Sequence, residues 1–280
     1  MMQKRPSAIL GFVGVIVTTS WTMLNAGQLQ LAPVGTHGQT ITPVYEGWHQ
    51  HPDGTLSVSW GYSNRNSEEI LEIPVGAENH IELGGPDRGQ PTSFLPRRQR
   101  GVFAVVVPTA FGDNEVHWTL SFRGDTQTIP GHLHRDWLLD ALGGAANGDG
   151  PPVVQFAEND PEYRGPDETP EGPLTATVGT PLPLSVWVSD DGITLRRDQD
   201  REGEAPPLVR LAWYLHQGPA SVNFTDEELE ISENGPTRTD TTVTLTEPGE
   251  YLPRVLATGR SGGGGSQCCW TNAFVRVNVS

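Results

Sequence analysis

The sequence predicts an all-β protein made of two sandwiches in tandem behind an N-terminal export signal. Three observations carry that prediction. Short runs alternate apolar with polar residues, turn residues separate the runs, and helical periodicity is poor throughout. The 33 glycines and 24 prolines act in the same direction, because both punctuate regular structure.

The N-terminus comes first. Lys4 and Arg5 form a short positive region, Ala8 to Val17 is an apolar run, and Leu24-Asn25-Ala26 ends in a small residue. This is the layout of a signal peptide spanning residues 1–26. The run is too short for a membrane span, which needs roughly 20 apolar residues, and Thr18, Thr19 and Ser20 end it. No cysteine follows it, which argues against a bacterial lipid anchor. Export places the mature chain in the periplasm or the medium, with no later membrane span.

The chain is acidic, with a net charge of −16 that becomes −18 when Lys4 and Arg5 are removed. Lys4 is the only lysine. Such a surface excludes nucleic acid as a partner, since phosphates need a basic face, and it permits cation binding.

A short extension, residues 27–40, leads into the first block, residues 41–131. Leu56, Val58, Trp60 and Tyr62 alternate with Ser57, Ser59 and Gly61, after a Pro52-Asp53-Gly54 turn. Gly101 to Val107 reads as a more fully buried strand. Val116, Trp118, Leu120 and Phe122 alternate again, and Asp125 to Ile129 closes the sheet. Residues 132–152 hold Gly143-Gly144 and Asn147-Gly148-Asp149-Gly150-Pro151-Pro152, the composition of a flexible linker.

The second block, residues 153–280, opens with Val153 to Phe156. Strands follow at Leu174–Val178, Leu182–Val188, Leu208–Tyr214, Thr241–Leu245, Tyr251–Ala257 and Ala273–Val279. That count is the immunoglobulin-like one. Glu158–Gly172 and Ser189–Pro207 are acidic and Gly/Pro-rich and read as surface loops, as does Gly262–Gly265 with Ser266.

Within this block Val178-Gly179-Thr180-Pro181-Leu182 precedes Leu184-Ser185-Val186. Leu211-Ala212-Trp213-Tyr214 precedes Gly218-Pro219-Ala220-Ser221-Val222-Asn223-Phe224. Pro248-Gly249-Glu250-Tyr251 precedes Arg254-Val255-Leu256-Ala257, and Val275 to Val279 closes the chain. In these motifs residues 153–279 resemble the PKD-like (polycystic kidney disease-type) immunoglobulin domains of extracellular proteins. The commoner W-x-F-G-D-G form is absent, and the insertion at Ser189–Pro207 and Cys268-Cys269-Trp270 are departures. The resemblance implies extracellular binding, spacing or adhesion and no catalysis. The residues agree with it physically. Trp213 has the volume to fill the space between sheets, Tyr251 stands where a tyrosine corner ties turn to strand, and Gly249 supplies positive φ.

Several constellations bear chemistry. His49/His51 and His132/His134 place two imidazoles two residues apart, with Asp53 or Asp136 nearby as a carboxylate, a start toward a metal site that needs more ligands. Asp190-Asp191-Gly192 with Asp198 and Asp200, and Glu158-Asn159-Asp160, offer oxygen ligands for calcium without a defined loop spacing. Arg97, Arg98 and Arg100 form the only basic cluster of the mature chain. It suits an anionic ligand, or an Arg-rich edge that pairs with the protein's own acids. The adjacent Cys268 and Cys269 can close a vicinal disulfide, stay reduced or bridge to another chain, and have no cation nearby to favour redox work. No nucleophile elbow, H-E-x-x-H or phosphate loop occurs. The leading expectation is an exported non-enzymatic binding, adhesion or structural protein, with another extracellular protein or a polysaccharide as partner. A metal-dependent hydrolase or metal binder using the paired histidines is one alternative. A carbohydrate-binding accessory module using some of the eight tryptophans is the other.

Overall fold

A computed structural model describes residues 35–51, 53–85, 87–141, 144–165, 170–193, 206–233, 235–260 and 269–280. The signal peptide, the glycine run of residues 262–265 and Asp198 and Asp200 lie outside them. The protein is all-β, as the alternation predicts.

The first half contains β1 (Ile41–Gln50), β2 (Leu56–Asn64), β3 (Leu71–Glu72), β4 (Asn79–Ile81), β5 (Ser93–Phe94), β6 (Arg97–Val107), β7 (Val116–Phe122) and β8 (Asp125–Gly131). One sheet runs β1-β2-β6 and another β4-β7-β8, with β3-β5 as a short ribbon. The predicted apolar faces meet between them. Trp60 of β2 and Trp118 of β7 are fully buried and meet edge to face at 6.0 Å, and Phe103 of β6 lies 4.9 Å from Trp118.

The second half contains β9 (Val153–Gln155), β10 (Glu171–Ala176), β11 (Leu182–Ser189), β12 (Val209–Gln217), β13 (Val222–Phe224), β14 (Glu228–Ile231), β15 (Thr237–Leu245), β16 (Gly249–Gly259) and β17 (Trp270–Val279). Its sheets run β10-β17-β16-β12-β14 and β13-β15-β11-β9. The opening strand is split between the sheets: β9 pairs antiparallel with β11, and β10 pairs parallel with β17. Both halves are immunoglobulin-like sandwiches, the second with this split opening strand. Trp213 is buried in the second core and stacks on Phe224 at 5.9 Å. The Tyr251 hydroxyl donates to the carbonyl of Glu247 at 3.1 Å, closing a tyrosine corner, and Gly249 has φ +145°.

Among the sequence readings that differ from the structure are those of β1 and of residues 132–152. His49 belongs to a strand, β1, whose alternation is hidden by Pro43 and by a bulge between Tyr45 and Gly47. Residues 132–152 are not a bare tether. Short 3-10 turns at Arg135–Trp137 and Leu139–Ala141 lie along β1 and a third at Ala145–Asn147 packs on the second, the Trp48 Nε1 donates to the carbonyl of His134 at 2.8 Å, and Leu139 is buried. This segment shields the free edge of β1.

Candidate functional site

The face of β2 that carries Ser57 and Ser59 looks solvent-facing in sequence, yet both serines are fully buried. The strand beside it, β6, meets β16 and β17 of the second sandwich in a polar seam. Arg254 of β16 donates from Nη1 to the Val102 carbonyl at 3.1 Å and to Oδ1 of Asn272 at 3.2 Å. Asn272 of β17 donates from Nδ2 to the carbonyl of Gly101. Beside it, the Thr92 amide donates to the carbonyl of His216 at 2.9 Å, the ring Nε2 of His216 donates to the Gly89 carbonyl at 2.7 Å, and Gln217 Nε2 donates to the Gln90 carbonyl at 2.7 Å. The acceptor on Gly89 fixes His216 as the Nε2–H tautomer. Burial pushes its pKa down to about 3, with the charge of Arg254 adding to the effect.

The end of β17 plugs the seam. The Trp270 ring lies where a Cβ on Gly101 would sit, 2.1 Å from Cε2, and Gly101 has φ +52°. Only glycine fits both demands. Trp270 packs with Leu139 and Cys269 in a small apolar cluster of its own. Cys269 is disulfide-bonded, and the one other cysteine of the chain, Cys268, lies outside the described residues. Asn272 and Thr271 also hold residue 165, through Asn272 N to Gly165 O at 3.0 Å and Gly165 N to Thr271 Oγ1 at 2.9 Å.

The structure places the other candidates as follows. Arg97, Arg98 and Arg100 lie on the first half of β6, an edge strand. Arg98 is committed to Glu46 at 2.6 Å, a carboxylate that is 3% exposed. Arg97 and Arg100 are exposed. The rings of His49 and His51 are 4.5 Å apart, and burial, with His51 adding, pushes the His49 pKa down to about 4. The rings of His132 and His134 are 4.1 Å apart, and His132 Nδ1 accepts from the His134 amide at 3.3 Å. Burial, with His134 adding, holds the His132 pKa below its usual range. Asp190 Oδ1 accepts from the Gly192 amide, and Asp191 accepts from the local Ile193 amide and from the Gly150 amide of the preceding segment. Among the described residues no three His, Cys, Asp or Glu side chains converge as a metal set.

Two adjoining clefts of about 360 and 440 Å³ flank the seam and share Asp87, Gln217 and Glu250. Glu250 is paired with Arg276 at 2.5 Å. Trp137 is the exposed aromatic among the described residues, and its ring is engaged by Tyr45 at 5.1 Å.

The seam was not legible in the sequence. Arg254, Asn272 and His216 read as ordinary polar strand residues, and the only local signal was the pair of small residues, Gly101 and Ala104, on a strand otherwise heavy with valine.

No family model matches the chain, and no curated protein matches it. Among solved structures, domains 4 and 5 of the S-layer protein SbsC are similar at 12% identity and TM-score 0.23, over 73% of this chain and 77% of that one. The D00-D0 domain of intimin is similar at 10% identity and TM-score 0.24, over 85% and 99%. The titin Ig tandem A164-A165 is similar at 11% identity and TM-score 0.24, over 86% and 99%. At these scores the likeness carries no functional weight. Among the described residues no helix is long and apolar enough to cross a membrane.

Proposed function

We propose that the chain is an exported, non-enzymatic module that binds, adheres to or braces another extracellular component, a protein or a polysaccharide, in the periplasm or the medium. Its units are residues 41–131 and a PKD-like sandwich of residues 153–280, with 132–152 serving as part of the seam. The observation that carries this reading is the seam itself. Buried hydrogen bonds through Arg254, Asn272 and His216 hold two sandwiches as one body. A stiff body transmits load and presents its surfaces at fixed spacing, which a tethered pair does not. Support for the PKD-like part comes from Trp213, the Tyr251–Glu247 corner and Gly249.

The test is co-sedimentation of the purified chain with envelopes or extracellular polymer from its own source, beside a hydrolase substrate panel run with and without chelator. Saturable sedimentation with no turnover supports the module. Chelator-sensitive turnover without sedimentation sinks it.

A further inference from the structure

Arg254 is 2% exposed, and its guanidinium keeps its charge in any protein setting. Nη1 has the Val102 carbonyl and Asn272 Oδ1, while Nε has no hydrogen-bond partner among the described residues. The groups that feel its charge are the phenols of Tyr62 and Tyr214 and the neutral imidazole of His216. The Tyr214 ring lies 5.1 Å away, beneath the guanidinium carbon. None of these is an anion, and among the described residues no carboxylate is paired with Arg254. That is notable in a chain with 34 acidic residues. A buried charge left uncompensated is among the costliest things a fold can contain. The same seam contains a second orphan donor, the indole Nε1 of Trp270, buried against Gly101 without an acceptor among the described residues. Gly101 is joined to Arg254 through Asn272.

We propose that the seam binds a small monovalent inorganic anion of the halide class, held at Nε of Arg254, as the counter-charge that locks the two sandwiches together. The Trp270 indole N–H is a second unsatisfied donor of the seam among the described residues. An ordered water satisfies Nε equally well but supplies no counter-charge, so anion and water make different predictions. This site stands apart from whatever outer surface the module uses to bind.

The deciding experiment is bromide anomalous diffraction from crystals of the full chain grown in sodium bromide. A bromide peak in contact with Nε of Arg254 is expected. Alongside it, the melting temperature is read in sodium bromide and in sodium gluconate at equal ionic strength, with a rise of about 2–4 °C expected in bromide. Arg254→Met abolishes that difference if it folds; if it does not, the wild-type crystals still decide. Density at Nε without an anomalous signal, together with equal melting temperatures in both salts, overturns the proposal and assigns a water.

Discussion

Single residues at the seam have effects that their sequence context hides. Gly101 resembles a dispensable glycine at the head of a valine-rich strand, but its φ is +52° and the Trp270 ring fills its side-chain space. Gly101→Ala forces either the indole or β6 to move, so a loss of about 2–4 kcal/mol is expected in denaturant unfolding. A wild-type-like midpoint for this variant would show that the seam is loose. The arginine cluster separates in the same assay. Arg98→Ala strands the buried carboxylate of Glu46 and is expected to cost about 2–3 kcal/mol, reduced from the fully buried case because the Arg98 side chain keeps 26% of its exposure. Arg97→Ala and Arg100→Ala remove exposed side chains and are expected to stay within about 0.5 kcal/mol. If Arg98→Ala is equally silent, the ion pair is not structural and all three arginines are available to a ligand.

At the scale of elements, the strands legible in advance were those with one wet face, together with β2 and the apolar second half of β6, whose runs of apolar and small residues marked them although both of their faces are buried. In β7 and β11, in β12 apart from its seam end, and in the last residues of β16, alternation survives because one side meets solvent. The Trp213 and Tyr251 signatures of the second core follow from packing rules that a sequence shows directly. Among the illegible elements is β1. In β1, Pro43 and Gly47 break the pattern, and the segment after Gly131 covers the strand's edge, a tertiary fact with no local code. β12 shows the boundary between the two cases. Its first residues follow the alternation of the core, while His216 at its far end is buried by the other sandwich. That burial gives a pH dependence with a definite sign. The folded state holds His216 neutral, with a pKa near 3, and the unfolded chain protonates it near 6.5. Between those values the unfolded state binds the extra proton. Stability is therefore complete above about pH 6.5 and falls as the pH drops toward 3, by up to about 1.4 kcal/mol per pH unit from this group. His49, with its pKa near 4, adds to the same limb. His216→Gln retains a side-chain N–H donor and removes the proton site, so its stability curve is expected to be flatter between pH 6 and 4 as read by urea midpoints at each pH. An unchanged slope would assign the acid sensitivity to other groups.

For the whole molecule, the question is whether two cores make one cooperative body. Each sandwich has its own apolar cluster, so area burial alone predicts two independent units. The seam argues for coupling because its hydrogen bonds match groups of one sandwich to groups of the other. Separating them exposes the Gly101 and Val102 carbonyls, the Gly89 carbonyl and the Arg254 and Trp270 side chains to water. Coupled units melt together when the coupling exceeds the difference between their separate stabilities. A single calorimetric transition is expected for the wild type, with calorimetric and van't Hoff enthalpies equal. Asn272→Ala tests the link, since Asn272 bridges Arg254 and the Gly101 carbonyl. Its loss leaves a buried carbonyl and weakens the hold on a buried guanidinium, at about 1–3 kcal/mol, and the loss falls on the seam and spares both cores. The expected thermogram is therefore two resolved transitions, with the enthalpy of the whole conserved. If the wild type already shows two, the sandwiches behave as tethered beads, and a stiff bracing module is no longer the reading the fold supports.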